Sequence, residues 1–128
     1  MASKQKPLAA LERALVAAPL IAPIAQSFLH LWSAVEAMFP SVSTEVVFRL
    51  ALYIAQLVEG PRKGGRRAYA RRVRKAYNLR SRVAHGSQTD IELDSWIDSW
   101  DITCDVYNAV QVRGRLPSED ELEDEALE

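Results

Sequence analysis

Prolines and glycines divide this chain into apolar segments, and every long segment repeats its apolar residues every three or four positions. Such a repeat places apolar side chains along one side of an α-helix, whereas a half-buried strand would alternate, and no segment sustains alternation. The prolines and glycines lie where helices would begin or end. The sequence therefore predicts an all-α fold, an up-and-down bundle of four or five helices.

Three of these helices are predicted before Gly60. The first is short, starts near Leu8 and stops where Pro19 removes a backbone donor. The second starts at Pro23, which is harmless in a first turn, and ends at Pro40. The third follows three possible N-caps and ends at Gly60-Pro61. These caps are Ser41, Ser43 and Thr44. The apolar residues of the second and third helices are Ile24, Phe28, Leu31, Trp32, Val35 and Phe39, then Val47, Leu50, Ala51, Ile54, Leu57 and Val58.

Two further helices are predicted after a basic loop at positions 61–66. The fourth reaches Gly86, a residue type that readily takes the left-handed backbone ending many helices. The fifth starts at Asp90 or Asp94 and ends near Gly114, with most of its aspartates away from its apolar face. We assign that apolar face, including both tryptophans, to the core. It comprises Leu93, Trp96, Ile97, Trp100, Cys104, Tyr107 and Val110.

The length of 128 residues fits one hydrophobic core. We assign residues 1–116 to a single helical domain and residues 117–128 to an acidic C-terminal tail, which offers at most one more helical turn, or disorder. A single cysteine, Cys104, forms no internal disulfide, so we expect a reducing cytoplasm. The charge-free run from Ala14 to Val35 contains two prolines and several polar residues, so we expect no membrane span.

Charge is strongly segregated along the chain, although its net value is −1. Positions 62–82 hold ten Arg or Lys residues and no acidic residue, while acidic residues dominate from Asp90 onwards. Such a run exceeds ordinary surface alternation and suggests a phosphate-bearing partner. The candidate residues for binding this partner are Arg66, Arg67, Arg71, Arg72, Lys75 and Arg82. The family resemblance described next implies that the partner is RNA.

The most specific segment is Tyr77-Asn-Leu-Arg-Ser-Arg-Val-Ala-His-Gly86. An arginine, a small polar residue and a histidine, here Arg80, Ser81 and His85, resemble the nuclease motif of the HEPN superfamily, in particular its Apea-like branch. Tyr77 and Gly86 match the flanks of that motif. Glu36, after an aromatic-led apolar stretch, matches the glutamate of the family's first long helix. The resemblance spans most of the chain from Phe28 to Tyr107.

This resemblance implies a metal-independent endoribonuclease of the toxin or antiphage-defence kind, acting as a homodimer, with a possible antitoxin or associated defence protein. Its catalytic residues would be Arg80, His85, Ser81 and Glu36. A guanidinium suits a phosphate because it presents a planar fork of donors, and an imidazole titrates near neutral pH. Arg80 would hold the phosphate while His85 takes the proton of a ribose 2′-hydroxyl, giving a 2′,3′-cyclic phosphate.

Several alternatives stay open at this point. On a straight helix, five residues rotate by about 140°, so Arg80 and His85 converge only if the helix ends at His85. Without catalysis, Arg80 would be a surface arginine and His85 a helix-end histidine. Glu36 needs a cationic partner, and Arg80 or Arg82 would serve, in a catalytic or a structural role. Departures from the family include the absence of a tyrosine shortly after His85.

Other functions are weighed against this one. A non-catalytic HEPN module that dimerises and binds RNA, nucleotide or a protein partner is the main alternative, and a basic DNA-binding domain is a third. The glycines at 60–65 lack the Lys-Ser/Thr end and the preceding strand of a phosphate-binding loop. The histidines and the cysteine are not clustered, so we predict neither a metal site nor a cofactor.

Overall fold

A computed structural model describes residues 2–40, 42, 45–59 and 63–126, with the side chains of residues 2–6, 63, 64 and 126 left aside. These residues form α-helices and no strand, which confirms the all-α prediction. The described part of the chain contains six α-helices instead of the four or five predicted. Their bounds are α1 Ala2–Ala17, α2 Ile24–Glu36, α3 Val46–Glu59, α4 Lys63–Ala84, α5 Leu93–Arg113 and α6 Glu119–Ala126, with a 3₁₀ turn at Ala18–Leu20.

Helix α2 occupies the centre of the bundle and packs against α1, α4 and α5. Its predicted stripe is correct, since Phe28, Leu31, Trp32 and Val35 are at most 1% exposed. Full burial of one such side chain contributes about 1.5–3 kcal/mol. Helix α3 pairs closely with α4 to form a second layer. The large buried side chains that join the two layers include Leu11, Leu50, Ile54, Val73, Ile102, Val106 and Leu122.

Helix α4 begins at Lys63, within the segment predicted as a basic loop. Gly65, in this first turn, lies beside the end of α3, where a Cβ at its position would be 3.0 Å from the Glu59 carboxylate. Helix α1 also begins earlier than predicted, before Leu8. The sequence did not indicate this start, because residues 2–7 carry no apolar stripe from which a helix could be recognised. The predicted N-caps Ser41, Ser43 and Thr44 and the stop at Gly60-Pro61 lie outside the described residues.

The prediction for the core face of α5 was right only in part, because Trp96 and Tyr107 pack half-buried against the core while other residues of α5 fill it. The residues of α5 that are buried are Ser99, Ile102, Thr103, Val106 and Val110. Of the predicted face, only Val110 is buried, Leu93 is 61% exposed and Ile97 41% exposed. Four others on that face, Trp96, Trp100, Cys104 and Tyr107, are half-buried.

Polar contacts explain the rotation of α5. The indole of Trp32, in the centre of the core, donates a hydrogen bond of 3.0 Å to Ser99 Oγ. On the next side of α5, Asp98 and Asp105 face the Arg72 guanidinium of α4. Turning the aromatic face inward would break these contacts and leave a buried indole donor unsatisfied, which costs about 1–3 kcal/mol.

The acidic tail also differs from its prediction, because α6 is an eight-residue helix. Ser118 caps it, its hydroxyl accepting the N–H of Glu121 at 3.1 Å. Leu122 is completely buried in the core, so α6 packs against α3 as part of the bundle. Periodicity could not reveal this helix because a single leucine anchors it. No helix in the described part of the chain is long and apolar enough to cross a membrane.

Candidate functional site

Helix α4 ends at Ala84, directly before His85. Gly86 has a positive φ of 78°, as its type predicts, and its N–H donates to the Val83 carbonyl at 3.2 Å. The Ser87 N–H closes the turn by donating to the Arg82 carbonyl at 3.0 Å. This cap stops the helix at the motif and leaves the His85 side chain exposed to solvent.

Arg80 pairs with Glu36 across the α2–α4 contact. Its Nε lies 2.8 Å from Glu36 Oε1, although that N–H does not point at this oxygen, and its Nη2 donates to Oε2 at 3.4 Å. The side chains are 23% and 30% exposed. Of the two partners predicted for Glu36, the geometry selects Arg80. Arg82 is exposed and its Nε donates to Gln88 Oε1 at 3.3 Å.

Tyr77 links the Arg80–Glu36 pair to the core. Its ring packs edge-on against Trp32, with centroids 5.6 Å apart, and the Arg80 guanidinium lies 5.5 Å from its centroid. Burial, and next the charge of Glu36, raise the pKa of Tyr77 above its ordinary value. The tyrosine of the motif therefore positions the arginine. Ser81 is half-buried, and its carbonyl accepts the His85 N–H at 3.0 Å.

The predicted RNA-binding residues fall into two groups. Arg67, Arg71, Lys75 and Arg82 are exposed. Arg66 is half-buried and donates to the Gln56 side-chain carbonyl. Arg72 differs most from the prediction, because its Nε lies 2.5 Å from Asp98 Oδ1. Two more aspartates, Asp101 and Asp105, each lie 3.9 Å from its other nitrogens, so Arg72 is the least available of the set for a phosphate.

A groove of about 510 Å³ runs between α3 and α4. Four arginines line it, together with apolar residues of α3 and two alanines. Of the charged and aromatic residues in this lining, two were not among the predicted binding residues, Phe48 and Arg74. Phe48 is 57% exposed and lies off the core stripe of α3, although it follows Val47 of that stripe. A large aromatic residue off the core stripe was the one signal in the sequence that could have identified it. The lining residues are Phe48, Leu52, Ala55, Gln56, Arg66, Arg67, Ala70, Arg71 and Arg74.

The remaining candidates lie apart from the motif. Trp96 and Trp100 stack with centroids 5.4 Å apart, and the Trp96 indole donates to Ser27 Oγ at 2.8 Å. His30 is exposed on α2. Burial and then the charges of Asp101 and Asp105 raise the pKa of the half-buried Cys104 thiol. Within the described residues, no group of three His, Cys, Asp or Glu side chains is placed to hold a metal ion.

No protein-family model, curated protein or solved structure matches the chain.

Proposed function

We propose that this chain is a metal-independent endoribonuclease of the HEPN type, with Arg80 and His85 at its catalytic centre. One observation carries the proposal: a half-buried arginine, fixed by Glu36 and Tyr77, lies five residues before an exposed histidine at a helix end capped by glycine. A fixed guanidinium loses little entropy when it binds a phosphate, and an exposed imidazole can reach the adjacent ribose.

The reaction divides between these side chains. His85 takes the proton of a ribose 2′-hydroxyl, whose oxygen bonds to the adjacent phosphorus while the bond from phosphorus to the 5′-oxygen breaks. Arg80 neutralises the charge that develops on the phosphate, and Glu36 and Ser81 support the arginine and the end of α4. The departing 5′-oxygen needs a proton, which the His85 of a second copy can supply. The products are a 2′,3′-cyclic phosphate and a 5′-hydroxyl.

A homodimer follows from this need for two histidines, and an exposed apolar surface supports it. Helices α4 and α5 are antiparallel, since Arg72 meets Asp98 while the earlier Tyr69 meets the later Asp105. The start of α5, with exposed Leu93 and Ile97, thus lies at the same end of this pair as His85. Ile97→Asp should convert the dimer to monomer, whereas Val112→Asp, on the same helix and 87% exposed, should not.

Light scattering over a range of concentrations measures both variants. A native protein that is monomeric at every concentration yet cleaves RNA contradicts the dimer.

A role in toxin or antiphage defence in the cytoplasm, with an antitoxin or associated defence protein as partner, is consistent with an RNA-cleaving activity that a cell must control.

The alternative is a non-catalytic module that dimerises and binds RNA, nucleotide or a protein partner. It is favoured by the pairing of Arg80 with Glu36, because a phosphate must compete with that carboxylate for the guanidinium. The two functions differ in whether a covalent bond breaks, so one cleavage experiment separates them.

The test incubates total RNA with the native protein in chelator, beside His85→Ala and His30→Ala. His30 is the other histidine of the chain and is also exposed, so its variant is a matched control. We expect cleavage by the native protein and His30→Ala, and a loss of about 10²–10⁴-fold in His85→Ala. Cleavage that is equal in both variants, or absent from the native protein, contradicts the nuclease in favour of the binding module.

A further inference from the structure

We propose that the groove between α3 and α4 binds a short segment of single-stranded RNA, with a base stacked on Phe48 and phosphates held by Arg67, Arg71 and Arg74. The proposal rests on the RNA ligand of the proposed function but not on its catalytic chemistry. It adds an aromatic contact and a defined path to the basic segment.

The shape of the groove comes from small side chains between two antiparallel helices. Ala55 of α3 and Ala70 of α4 line it, so nothing large fills the space between the helices there. Gln56 and Arg66 are in contact at one end of the groove. Because the helices are antiparallel, Phe48 lies about 12 Å away along α3, near Arg71 and Arg74.

The charge of the groove selects an anionic ligand. Arg67, Arg71 and Arg74 are spaced by four and three residues and are exposed, so they form one row along α4. None of the described residues that line the groove is acidic. Unlike Arg72, whose charge three aspartates compensate, these arginines present their guanidiniums to solvent. Guanidiniums in such a row match the repeated phosphates of a nucleic-acid strand.

Phe48 then distinguishes RNA from other anions. An exposed phenylalanine alone is ordinary, but here it stands in the same groove as the arginine row. Sites for single-stranded nucleic acid combine a basic groove with aromatic side chains on which bases stack. An acidic amphipathic helix would need apolar anchors along several turns, whereas among the described lining residues only Phe48 and Leu52 offer an apolar contact larger than an alanine.

The position of α6 gives the strand a direction. Glu125 of α6 accepts a hydrogen bond from Gln56 at 3.3 Å, which places a carboxylate at the Arg66 end of the groove. Gln56 is held there between Arg66 and Glu125, so the polar side chains at that end are engaged within the protein, and we expect the strand to leave past Arg74 instead. Arg80 lies six residues further along α4, a rise of about 9 Å and a rotation of about 120° around the helix, so a strand that leaves the groove would cross the exposed face of α4 to reach the catalytic centre.

The first test measures binding of a fluorescein-labelled decauridylate by anisotropy, with every variant made in a His85→Ala background to prevent cleavage. Phe48→Ala should weaken binding roughly five- to hundredfold, the range that one base–aromatic stack supplies. Phe48→Tyr should restore it because the stacking face remains. Leu20→Ala, which removes a side chain that is 85% exposed elsewhere, is the control and should change nothing.

Salt dependence tests the arginine row separately. Replacing Arg71 and Arg74 together by alanine should reduce the slope of log affinity against log salt by roughly 0.7 for each phosphate that the protein no longer neutralises. Arg13→Ala, an exposed arginine on α1, should leave the slope unchanged. Native affinity in Phe48→Ala together with an unchanged slope in the arginine variant would overturn the proposal. A second result would also overturn it: a synthetic peptide of residues 118–128 binds and loses affinity in Phe48→Ala, while decauridylate does not bind. That result would indicate an acidic protein partner.

The groove proposal and the nuclease proposal can fail independently, and the measurements distinguish the two failures. If native protein cleaves RNA and Phe48→Ala leaves KM unchanged, the groove proposal is wrong and the nuclease stands. If native protein cleaves no RNA but decauridylate binding still depends on Phe48, the groove proposal holds for a binding module. If both hold, Phe48→Ala raises KM with little change in kcat, because Phe48 contacts bound RNA away from the reacting phosphate.

Discussion

Helix α4 carries two tyrosine–arginine pairs eight residues apart, and their surroundings differ. In both, the guanidinium lies over the tyrosine ring, at 5.4 Å for Arg72 over Tyr69 and 5.5 Å for Arg80 over Tyr77. Eight residues rotate a helix by about 80° beyond two full turns, so the first pair faces α5 and the second faces α2. Arg72 therefore meets three aspartates, whereas Arg80 meets Glu36.

This difference in compensating charge separates a structural contact from a candidate site. One guanidinium and three carboxylates leave two negative charges around Arg72, which repel a phosphate. The charges of Arg80 and Glu36 sum to zero, and Arg80 lies five residues before the exposed His85. The same local sequence, a tyrosine followed three residues later by an arginine, thus serves different purposes because different helices pack against it.

We expect the largest difference between Arg72 and Arg80 in the rate of RNA cleavage. If the chain cleaves RNA as proposed, Arg80→Ala should reduce single-turnover cleavage by about 10²–10³-fold, since it removes the proposed donor to developing charge. Arg72→Ala should leave the cleavage rate within about threefold of native, since three aspartates already compensate the charge of Arg72. Equal losses in the two folded variants would mean that the two arginines act alike, and the comparison would fail.

A smaller effect concerns stability at alkaline pH. The Tyr69 hydroxyl is buried and donates to Asp105 at 2.7 Å, and burial and then this bond raise its pKa well above the ordinary value near 10. The native state therefore holds the phenol proton more tightly than the unfolded state. This contribution to stability is complete below pH 10 and declines as the pH rises above it.

Tyr69→Phe removes this contribution. At pH 8 we expect it to lower the free energy of unfolding by about 1 kcal/mol, because one hydrogen bond is removed. Its difference from native should shrink between pH 10 and pH 11.5 in urea denaturation. Tyr107→Phe, half-buried and outside both pairs, is the control. A difference that stays constant with pH would show that the hydroxyl titrates alike in both states.

The smallest effects are those of the carboxylates. Glu36→Gln should lower the free energy of unfolding by about 0.5–1 kcal/mol, because the partly exposed Arg80 loses its facing carboxylate. Asp98→Asn should change it by less than about 0.5 kcal/mol, since Asp101 and Asp105 still compensate Arg72. Urea denaturation at pH 7 measures both. A larger loss of unfolding free energy in Asp98→Asn than in Glu36→Gln would contradict the expectation that Arg80 depends on a single carboxylate and Arg72 on several.

Two features of the candidate site were predicted from residue types. Gly86 ends α4 as its residue type predicts, and Glu36, a carboxylate beside an apolar stripe, takes one of its two predicted cationic partners. Arg72 could not be assigned, because the apolar pattern of α5 did not indicate that its aspartates face α4. Sequence reasoning also missed the groove, whose floor exists only where alanines of two helices meet.

The sequence by itself determined that the chain is helical, where most helices end, and which face of α2 is buried. These properties follow from apolar spacing, proline and glycine, and they act over one or two helical turns. Only the tertiary structure decided how α5 is rotated, since a tryptophan of α2 and an arginine of α4 orient Ser99 and the aspartates. It also decided that α6 joins the bundle, because Leu122 is buried only when α3 is beside it. Such choices depend on which side chains of distant segments satisfy one another, and periodicity within one segment does not contain that information.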